Sequence, residues 1–535
     1  MINDAQTQTL PQDTEGFARL AAFMGQDTNT LRDELTTRCE AVHVLTEGFF
    51  APDDQSGKPT TDWGAEVTAR WHSYPALRST RATEIFARLK PDMLNRLQEA
   101  AKPDEALAQF DGFLAGLPAG VQLFSLFEAN PQLTKLIVDI CATAPVLAQY
   151  LSRNSGVLDA VIGGAFFDEW PELAGLQDAL SAQLHTSDDY ETQLLTARRW
   201  VKEWHFRIGV HYLRGLVTAD QAGAQYADLA EAVVSTLWPI VVADFARKHG
   251  PMPGLGGAVI AMGSLGVRRL TATSDLDLIM IYDASGVETS EGRRPLDTRP
   301  YFARLTQALV TALTAPMAEG RLYEVDMRLR PSGRQGPVAT SLDAFKDYQQ
   351  NQAWTWEHLA LTRARAIAGN PALTSTIEDF RQTLLRTKST GATVLADVAD
   401  MRGRIADAKP IIAGGEAKIG AGRLQDIELF AQSVALICGS PERDLSAQLE
   451  SGVADGWLDA ADAQALGRAA GFLWKLQTAA RFLTADTLDL TTLGEGAKRL
   501  ILRETELSST DALLAALDTY AIEANEIITR KLELT

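Results

Sequence analysis

The sequence predicts a predominantly helical α+β protein, in which a small α/β core is flanked by helical domains on its N-terminal and C-terminal sides. Three observations support this prediction. Apolar residues recur at three- and four-residue steps through most of the 535 residues, which is typical of amphipathic helices. Apolar and polar residues alternate, as in strands, in two runs before residue 331, and a short apolar run precedes them.

The helical pattern predicts two outer domains, one on each side of the α/β core. In the first, predicted at residues 1–187, the segment LFSLFEANPQLTKLIVDICATAPVLAQYL has helical spacing. In the last, predicted at residues 386–535, the run RLQDIELFAQSVALIC places Leu424, Ile427, Ala431 and Val434 on one stripe. Both domains are therefore expected to be built from helices.

The middle domain, predicted at residues 188–385, begins with a long helix from about residue 190 to 216. A short apolar strand, GAVIAMG, follows a loop-like segment near residue 250, and SDLDLIMIYD forms a second strand. A helix is expected from about Arg299 to Ala315, and a third strand, RLYEVDMRLRP, should end at Pro331. From residue 342 to 369 the spacing becomes helical again.

Composition and local sequence patterns argue against several classes of protein. The formal net charge of −19 disfavours non-specific binding to nucleic acid, because phosphate repels an acidic surface. The three cysteines are far apart and form no CxxC pair, which argues against a zinc site and fits a reducing cytoplasm. The N-terminus has no signal-peptide pattern, and no run approaches ~18 consecutive apolar residues, so neither secretion nor a membrane span is expected.

Three carboxylates are the strongest candidates for chemistry. On the second strand, Asp275 and Asp277 lie one repeat apart and share a face. On the third strand, Asp326 joins them if the two strands are neighbours. Carboxylate oxygens are the ligands that Mg²⁺ prefers, and three clustered carboxylates repel one another unless cations neutralise them. The sequence therefore predicts Asp275, Asp277 and Asp326 as metal ligands and catalytic residues.

Phosphate binding is predicted close to these carboxylates. Gly263 and Ser264 follow the first strand and open a tight turn whose N–H groups can hold phosphate, and Ser274 directly precedes the acidic pair. Arg328 and Arg330 share the face of Asp326 in an extended strand and can neutralise phosphate or leaving pyrophosphate.

Other polar residues carry weaker expectations. Trp354, Trp356 and Glu357 are expected to be core residues, and His358 is expected to be structural. Arg363 and Arg365 suit a substrate contact and an ordinary exposed surface equally well.

The order of hydrophobic strand, Gly-Ser, fixed gap and DLD resembles the polymerase-β-like nucleotidyltransferase superfamily. Within it, the chain resembles the bifunctional glutamine synthetase adenylyltransferase and adenylyl-removing family. The matching stretches are MGSLGVRRLTATSDLDLIMIYD, LYEVDMRLRPSGRQGPVATS, AFKDYQQNQAWTWEHLALTRAR and, less well, KIGAGRLQDIELFAQ. The details are similar to the C-terminal, AMP-attaching catalytic domain of that family, and the chain holds one GS…DLD pattern where the family has two.

This resemblance implies an adenylyltransferase that moves AMP from ATP to a tyrosine of glutamine synthetase with Mg²⁺ as cofactor. It also implies a PII signal protein and glutamine as regulators, and a linking or regulatory role for residues 1–187. Departures from the family pattern include Val267 and Arg269 near the turn, and Arg423 and Leu429 in the C-terminal motif.

Three other functions stay open at this point. The same site could remove AMP by phosphorolysis. It could extend RNA, which the acidic charge disfavours. It could also belong to a non-catalytic regulatory half that only binds the PII signal protein or glutamine synthetase.

Overall fold

The structure is a computed structural model that describes residues 63–387, without 118, 155–164, and 391–533, without 409–414, 485–486 and 491–492. Shorter described stretches are 17–18, 21–22 and 26–38, and residues 28–38 are helical. The chain divides into two compact units. The first comprises residues 1–98 and 117–139, and the second comprises residues 99–116 and 140–535.

The labelled helices before the first strand are α1 (Ala65–Ala69), α2 (Thr80–Gln98), α3 (Pro103–Gly116), α4 (Val121–Ala129), α5 (Pro131–Thr143), α6 (Pro145–Arg153), α7 (Glu172–Leu184), α8 (Tyr190–Arg214) and α9 (Ala219–His249). Next come β1 (Gly256–Ala261), α10 (Gly263–Gly266), β2 (Leu276–Asp283), α11 (Thr298–Thr314), β3 (Val325–Asp326), β4 (Ala339–Ser341), α12 (Leu342–Asn351), α13 (Thr355–Thr362) and β5 (Arg365–Gly369). The chain then continues through α14 (Pro371–Thr387), α15 (Gly391–Ala408), α16 (Leu424–Ile437), α17 (Leu445–Ala454), α18 (Ala460–Leu483), α19 (Glu495–Thr505) and α20 (Thr510–Glu533).

The first unit has an aromatic core. Its helix α2 packs against α4. Phe86 contacts Trp71 and Phe124, with ring centroids 5.5 Å and 5.0 Å apart, and Phe124 contacts Phe127 at 6.4 Å. Such tilted and edge-on ring pairs add to the stabilisation that burial alone provides.

Helix α9 is the central helix of the second unit. It begins with a capping box, because the Thr218 hydroxyl accepts a hydrogen bond from the Gln221 N–H while the Gln221 side chain accepts one from the Thr218 N–H. It packs against α7, α8, α11 and α18. Length and composition alone would allow α9 to cross a membrane. Half of its apolar window is buried inside the protein, and it carries buried Asp228 and Glu231, which fits a core helix.

The predicted α/β core is confirmed as a mixed five-stranded sheet. The strand order is β3-β2-β1-β5, with β4 also paired to β2. Strand β1 runs antiparallel to β2 and β5, whereas β3 and β4 run parallel to β2. One sheet face buries Ile260, Ile279 and Ile281 against Phe345 of α12 and Leu361 of α13. This packing fixes the central strands, from which the predicted site residues project.

The prediction of a long third strand is wrong, because β3 contains only Val325 and Asp326. The Arg330 guanidinium donates hydrogen bonds to the backbone carbonyls of Met327, Arg334 and Gly336 and folds the following segment into turns. Arg328 and Arg330 therefore do not alternate along a strand with Asp326. On the other side of β3, the chain is held by Arg198, which donates to the carbonyls of Ala312, Ala315 and Gly320.

The prediction of continuous helical spacing up to residue 369 is also wrong. Residues Arg365–Gly369 form β5 and pair antiparallel with β1, with an irregularity between Val259 and Ile260. Hydrogen bonding to the open edge of β1 outweighs the local helical pattern of this short segment. Gly369 ends the strand at a φ of 132°, which favours glycine.

Candidate active site

The turn after β1 brings the predicted phosphate-binding residues next to the acidic strand. The Met262 N–H donates to the Asp277 carbonyl at 2.9 Å, and α10 begins directly afterwards at Gly263. Gly263 has a φ of 53°, and a Cβ built there would collide with Oδ2 of Asp277. The glycine therefore lets the Asp277 carboxylate lie against the backbone of the turn.

The predicted neighbourhood of the second and third strands is confirmed. Strands β2 and β3 are parallel, and Asp277 stands opposite Asp326 in the register. Asp275 lies just before β2, is exposed, and lines a cavity that also includes Ser264 and Ser274. The fold thus gathers residues separated by about fifty positions at one end of the sheet.

The three carboxylates differ in their electrostatic environment. Burial, together with the negative charges of Asp275 and Asp326, raises the pKa of Asp277 to about 6, against the opposing charges of Arg363 and Lys418. For Asp326, burial also acts to raise the pKa, but hydrogen bonds from Arg328 outweigh burial and lower it. Asp277 therefore holds its proton more strongly than an ordinary aspartate, and Asp326 holds it less strongly.

We expect Asp277 to make the stability of the cation-free protein depend on pH. The pKa of Asp277 is about 6 in the folded protein and 3.8 in the unfolded chain. Ionisation of Asp277 therefore lowers the free energy of unfolding, and this loss is complete above pH 6. The loss disappears as the pH falls below 3.8, where the carboxyl is protonated in both states. Asp277→Asn should raise the free energy of unfolding by ~2–3 kcal/mol at pH 8. The gain should shrink to about half at pH 5. Urea denaturation with a chelator at both pH values measures it, and an equal difference at the two values would contradict the assignment.

The donor chemistry of the site suits a hard cation bound together with phosphate. Mg²⁺ usually takes one or two protein carboxylates and completes its shell with water and substrate oxygens. Asp275 and Asp277 offer such oxygens next to the predicted phosphate-binding turn. Among the described residues, no group of three or more acidic, histidine or cysteine side chains converges to hold a metal by itself. The Asp326 carboxylate is bonded to Arg328.

The two predicted phosphate-binding arginines have partners within the protein. Arg328 donates through Nε to Oδ2 of Asp326 at 2.6 Å, and its N–H donates to Oδ1 at 2.8 Å. Arg330 donates to the three backbone carbonyls described above. The structure thus places Arg328 beside the carboxylates and Arg330 in the turn that follows β3.

Along the chain, Ser264 precedes and Ser274 follows the loop of residues 269–273. Ser264 belongs to α10, and its carbonyl accepts from the Arg269 N–H at 2.9 Å. The Ser274 hydroxyl accepts from the Thr271 N–H at 2.9 Å and closes the turn before Asp275. Their place in one cavity keeps both as candidates for phosphate binding.

Sequence reasoning offered Arg363 as a possible substrate contact but missed Lys418, and both lie near Asp277. Arg363 lies close enough to lower its pKa, and its guanidinium donates to Glu428 at 3.2 Å. Lys418 also lowers the pKa of Asp277. Lys418 and Glu428 belong to the motif KIGAGRLQDIE, but they lie about 140 residues after the acidic strand. No local spacing signals this proximity, which only the packing of the C-terminal helices creates.

Arg365 anchors the turn at α10, which is predicted to bind phosphate, to the central helix α9. Its guanidinium donates to Glu231 of α9 at 2.7 Å and to the backbone carbonyls of Gly266 at 3.2 Å and Leu265 at 3.3 Å. The Glu231 side chain is only 8% exposed. Arg365 is therefore a positioning residue for α10.

We expect Arg365→Met to lower the free energy of unfolding by about 3 kcal/mol, because Glu231 would stay buried without its partner. Equilibrium urea denaturation measures this loss. The double variant Arg365→Met/Glu231→Gln should recover part of the stability, because it removes the uncompensated charge. Equal stability of the single and double variants would show that the pair does not act in this way.

The expectation that the WTWEH segment is core is wrong for its tryptophans. Trp354 is 71% exposed and Trp356 is 37% exposed. Glu357 is buried as expected and accepts hydrogen bonds from the Tyr348 hydroxyl and the Trp354 N–H, both at 3.0 Å. His358 is buried and paired with the Gln349 carbonyl at 2.9 Å, which confirms its structural role. Trp354 is the residue before α13 and Trp356 lies in its first turn, where helical spacing does not decide which residues are buried.

Comparison with known proteins agrees with this geometry. Residues 134–379 match the family model described as glutamate-ammonia ligase adenylyltransferase, and residues 395–512 match the model described as GlnD PII-uridylyltransferase. Three similar proteins are all named bifunctional glutamine synthetase adenylyltransferase/adenylyl-removing enzyme. The protein of Brucella suis biovar 1 (strain 1330) is 38% identical over 94% of this chain and 54% of its own length. Those of Mesorhizobium japonicum and Xanthobacter autotrophicus are 37% and 40% identical, over 97% and 83% of this chain and 56% and 48% of their own lengths.

The chain therefore spans about half the length of the curated relatives it matches. The family match begins before the sheet and ends within α14, so it includes every residue predicted for the site. On this match and these identities, the chain belongs to the glutamate-ammonia ligase adenylyltransferase family.

Proposed function

We propose that this chain transfers AMP from ATP to a tyrosine hydroxyl of glutamine synthetase and releases pyrophosphate. The observation that carries the proposal is the placement of Asp277 opposite Asp326 on adjacent parallel strands, with the Gly263 turn against the Asp277 carboxylate. Clustered carboxylates beside a glycine turn suit nucleotidyl transfer, in which a metal and phosphate must be held together. The names of the relatives supply the acceptor.

Magnesium is part of this proposal. Asp275 and Asp277 would hold the ion together with phosphate oxygens, and the ion would neutralise charge on the transferred phosphate. In the reaction, the tyrosine oxygen forms a bond to the α-phosphorus while the bond from that phosphorus to the bridging oxygen breaks. The electron pair of the broken bond leaves with pyrophosphate, and the tyrosine proton passes to a base.

A carboxylate of the site is proposed to accept the tyrosine proton. A phenol has a pKa of roughly 10, so it needs a base at neutral pH. Asp326 is predicted for this role, but its hydrogen bonds from Arg328 make it a weak base. In our proposal, the α-phosphate of the bound nucleotide gives Arg328 an alternative partner, so that Asp326 becomes available as the base, while the β- and γ-phosphates are bound elsewhere.

A PII signal protein and glutamine are proposed as regulators. The match of residues 395–512 to the GlnD PII-uridylyltransferase model supports a regulatory link between these helices and PII. Direct measurement of PII binding to the full chain, with and without glutamine, tests this link.

Removal of AMP is the second candidate, because the relatives' names carry both activities. In that reaction inorganic phosphate attacks the AMP–tyrosine bond, and ADP is released. A non-catalytic regulatory half is the third possibility. It predicts that no chemistry depends on the carboxylates.

The deciding experiment incubates the full chain with purified glutamine synthetase, α-labelled ATP, Mg²⁺, PII and glutamine. Label in glutamine synthetase, absent when a chelator replaces Mg²⁺, supports the proposal. The parallel assay supplies adenylylated glutamine synthetase and phosphate and measures ADP. Formation of ADP without incorporation of label would assign the chain to AMP removal. Absence of both label incorporation and ADP formation would refute catalysis.

A further inference from the structure

The two arginines predicted to bind the tail of a triphosphate are already engaged within the protein. Nucleotidyl transfer leaves pyrophosphate with several negative charges, which requires positive groups beyond the metal. Arg328 is bonded to Asp326, and Arg330 is used by backbone carbonyls. Further basic groups near the Gly263 turn are therefore expected to share the negative charge of the phosphate tail, whatever partners they have in the nucleotide-free protein.

A cavity of ≈ 260 Å³ adjoins this turn and is lined from two parts of the chain. Ser264, Ser274 and Asp275 line the side that belongs to the sheet domain. Lys418, Gln477 and Arg481 line the other side and come from the C-terminal helical region. Helix α18, which carries Gln477 and Arg481, also packs against α9, so the two sides are joined through one core.

The cavity is basic, although the chain as a whole is strongly acidic. Its lining includes Arg269, Lys418 and Arg481, whereas its acidic groups are Asp275 and Glu428. Glu428 is already paired with Arg363 at 3.2 Å. The lining therefore carries three basic side chains against two acidic ones.

Arg269 is oriented in advance by its neighbours. Its Nη2 donates to Asp220 of α9 at 2.8 Å, and its guanidinium lies 4.3 Å from the ring centroid of Trp474 on α18. These contacts fix the loop that carries Ser274 against the C-terminal helices. The backbone of Lys418 is fixed as well, because its N–H donates to Glu416 and its carbonyl accepts from the Gln425 N–H at 2.9 Å.

We propose that Lys418 and Arg481 bind the β- and γ-phosphates of the nucleotide and hold the leaving pyrophosphate, so that the C-terminal helices complete the transfer site. This inference rests on the proposed function. It gives Lys418 and Arg481 the task that the sequence suggested for Arg328 and Arg330. The phosphate tail would then be bound by the C-terminal helical region, whereas the carboxylates belong to the sheet domain.

The test compares two ligands that differ only in the phosphate tail. The full chain is titrated calorimetrically, in Mg²⁺, with the α,β-methylene analogue of ATP and with AMP. Lys418→Met and Arg481→Met should each weaken binding of the triphosphate analogue at least tenfold and change binding of AMP less than twofold. Lys418→Arg and Arg481→Lys, which keep the charge, should recover most of the affinity for the analogue.

Lys498→Met is the matched control, because it also removes a lysine charge from a C-terminal helix. Lys498 pairs with Glu495 on α19 and does not line the cavity. Unchanged analogue affinity in both methionine variants would overturn the inference, and so would an equal loss for the analogue and AMP. Binding needs no acceptor protein, so a chain that binds the analogue through Lys418 and Arg481 but labels no glutamine synthetase would refute only the proposed function.

Discussion

Asp277→Asn should reduce transfer of AMP to glutamine synthetase by at least ~10³-fold. The asparagine keeps the shape of the side chain but removes the charge that would hold Mg²⁺ beside the phosphates. The loss should appear in kcat, because the charge acts on the transferred phosphate. Initial rates of label incorporation at saturating ATP measure the effect.

Asp283→Asn is the matched control for this change. Asp283 is the last residue of the same strand, at the opposite end from the Gly263 turn, and accepts a hydrogen bond from the Ser285 N–H at 2.7 Å. This variant should transfer AMP at the wild-type rate. An Asp277→Asn protein that retains more than a tenth of wild-type activity would remove Asp277 from the reaction.

Gly263→Ala should abolish transfer almost as completely, by at least ~10²-fold. Two effects combine at this position. The φ of 53° is strained for any residue with a Cβ, and the new methyl group would occupy the space of the Asp277 carboxylate. The carboxylate would have to turn away from the site. We expect lost activity together with a loss of ~1–2 kcal/mol in the free energy of unfolding.

Gly286→Ala separates these two effects. Gly286 has a φ of 80°, and a Cβ there meets no atom within 4 Å. This variant should therefore show the backbone strain in urea denaturation but keep normal transfer. If both alanine variants lose activity equally, displacement of Asp277 is not the cause.

Much of the core of this fold could be predicted because its strands carry local patterns. The alternation in β2 placed Asp277 correctly, and the parallel pairing with β3 brought Asp326 beside it. The extent of β3 could not be predicted, because its end is set by hydrogen bonds from Arg330 to carbonyls up to six residues away. Strand β5 was missed for a similar reason, since it depends on pairing with β1.

The charged surroundings of the site were the least predictable part. Lys418 and Arg481 reach the cavity only because the C-terminal helices pack beside the sheet domain. Sequence distance gives no information on such contacts. Arg365 shows the same limitation, because its role depends on Glu231, which lies 134 positions earlier on α9.

The shortness of β3 has a consequence for how the proposed activity can be regulated. Asp277 belongs to strand β2, which pairs with neighbours on both sides. Asp326 is held to the sheet only by the two-residue pairing of β3 with β2. The chain before β3 is fixed by hydrogen bonds from Arg198, and the chain after it by hydrogen bonds from Arg330. Local opening of so short a segment costs far less free energy than global unfolding. Asp326 can thus move away from the site while the remainder of the domain stays intact, and a ligand that favours the open segment would stop the proposed transfer without competing for ATP.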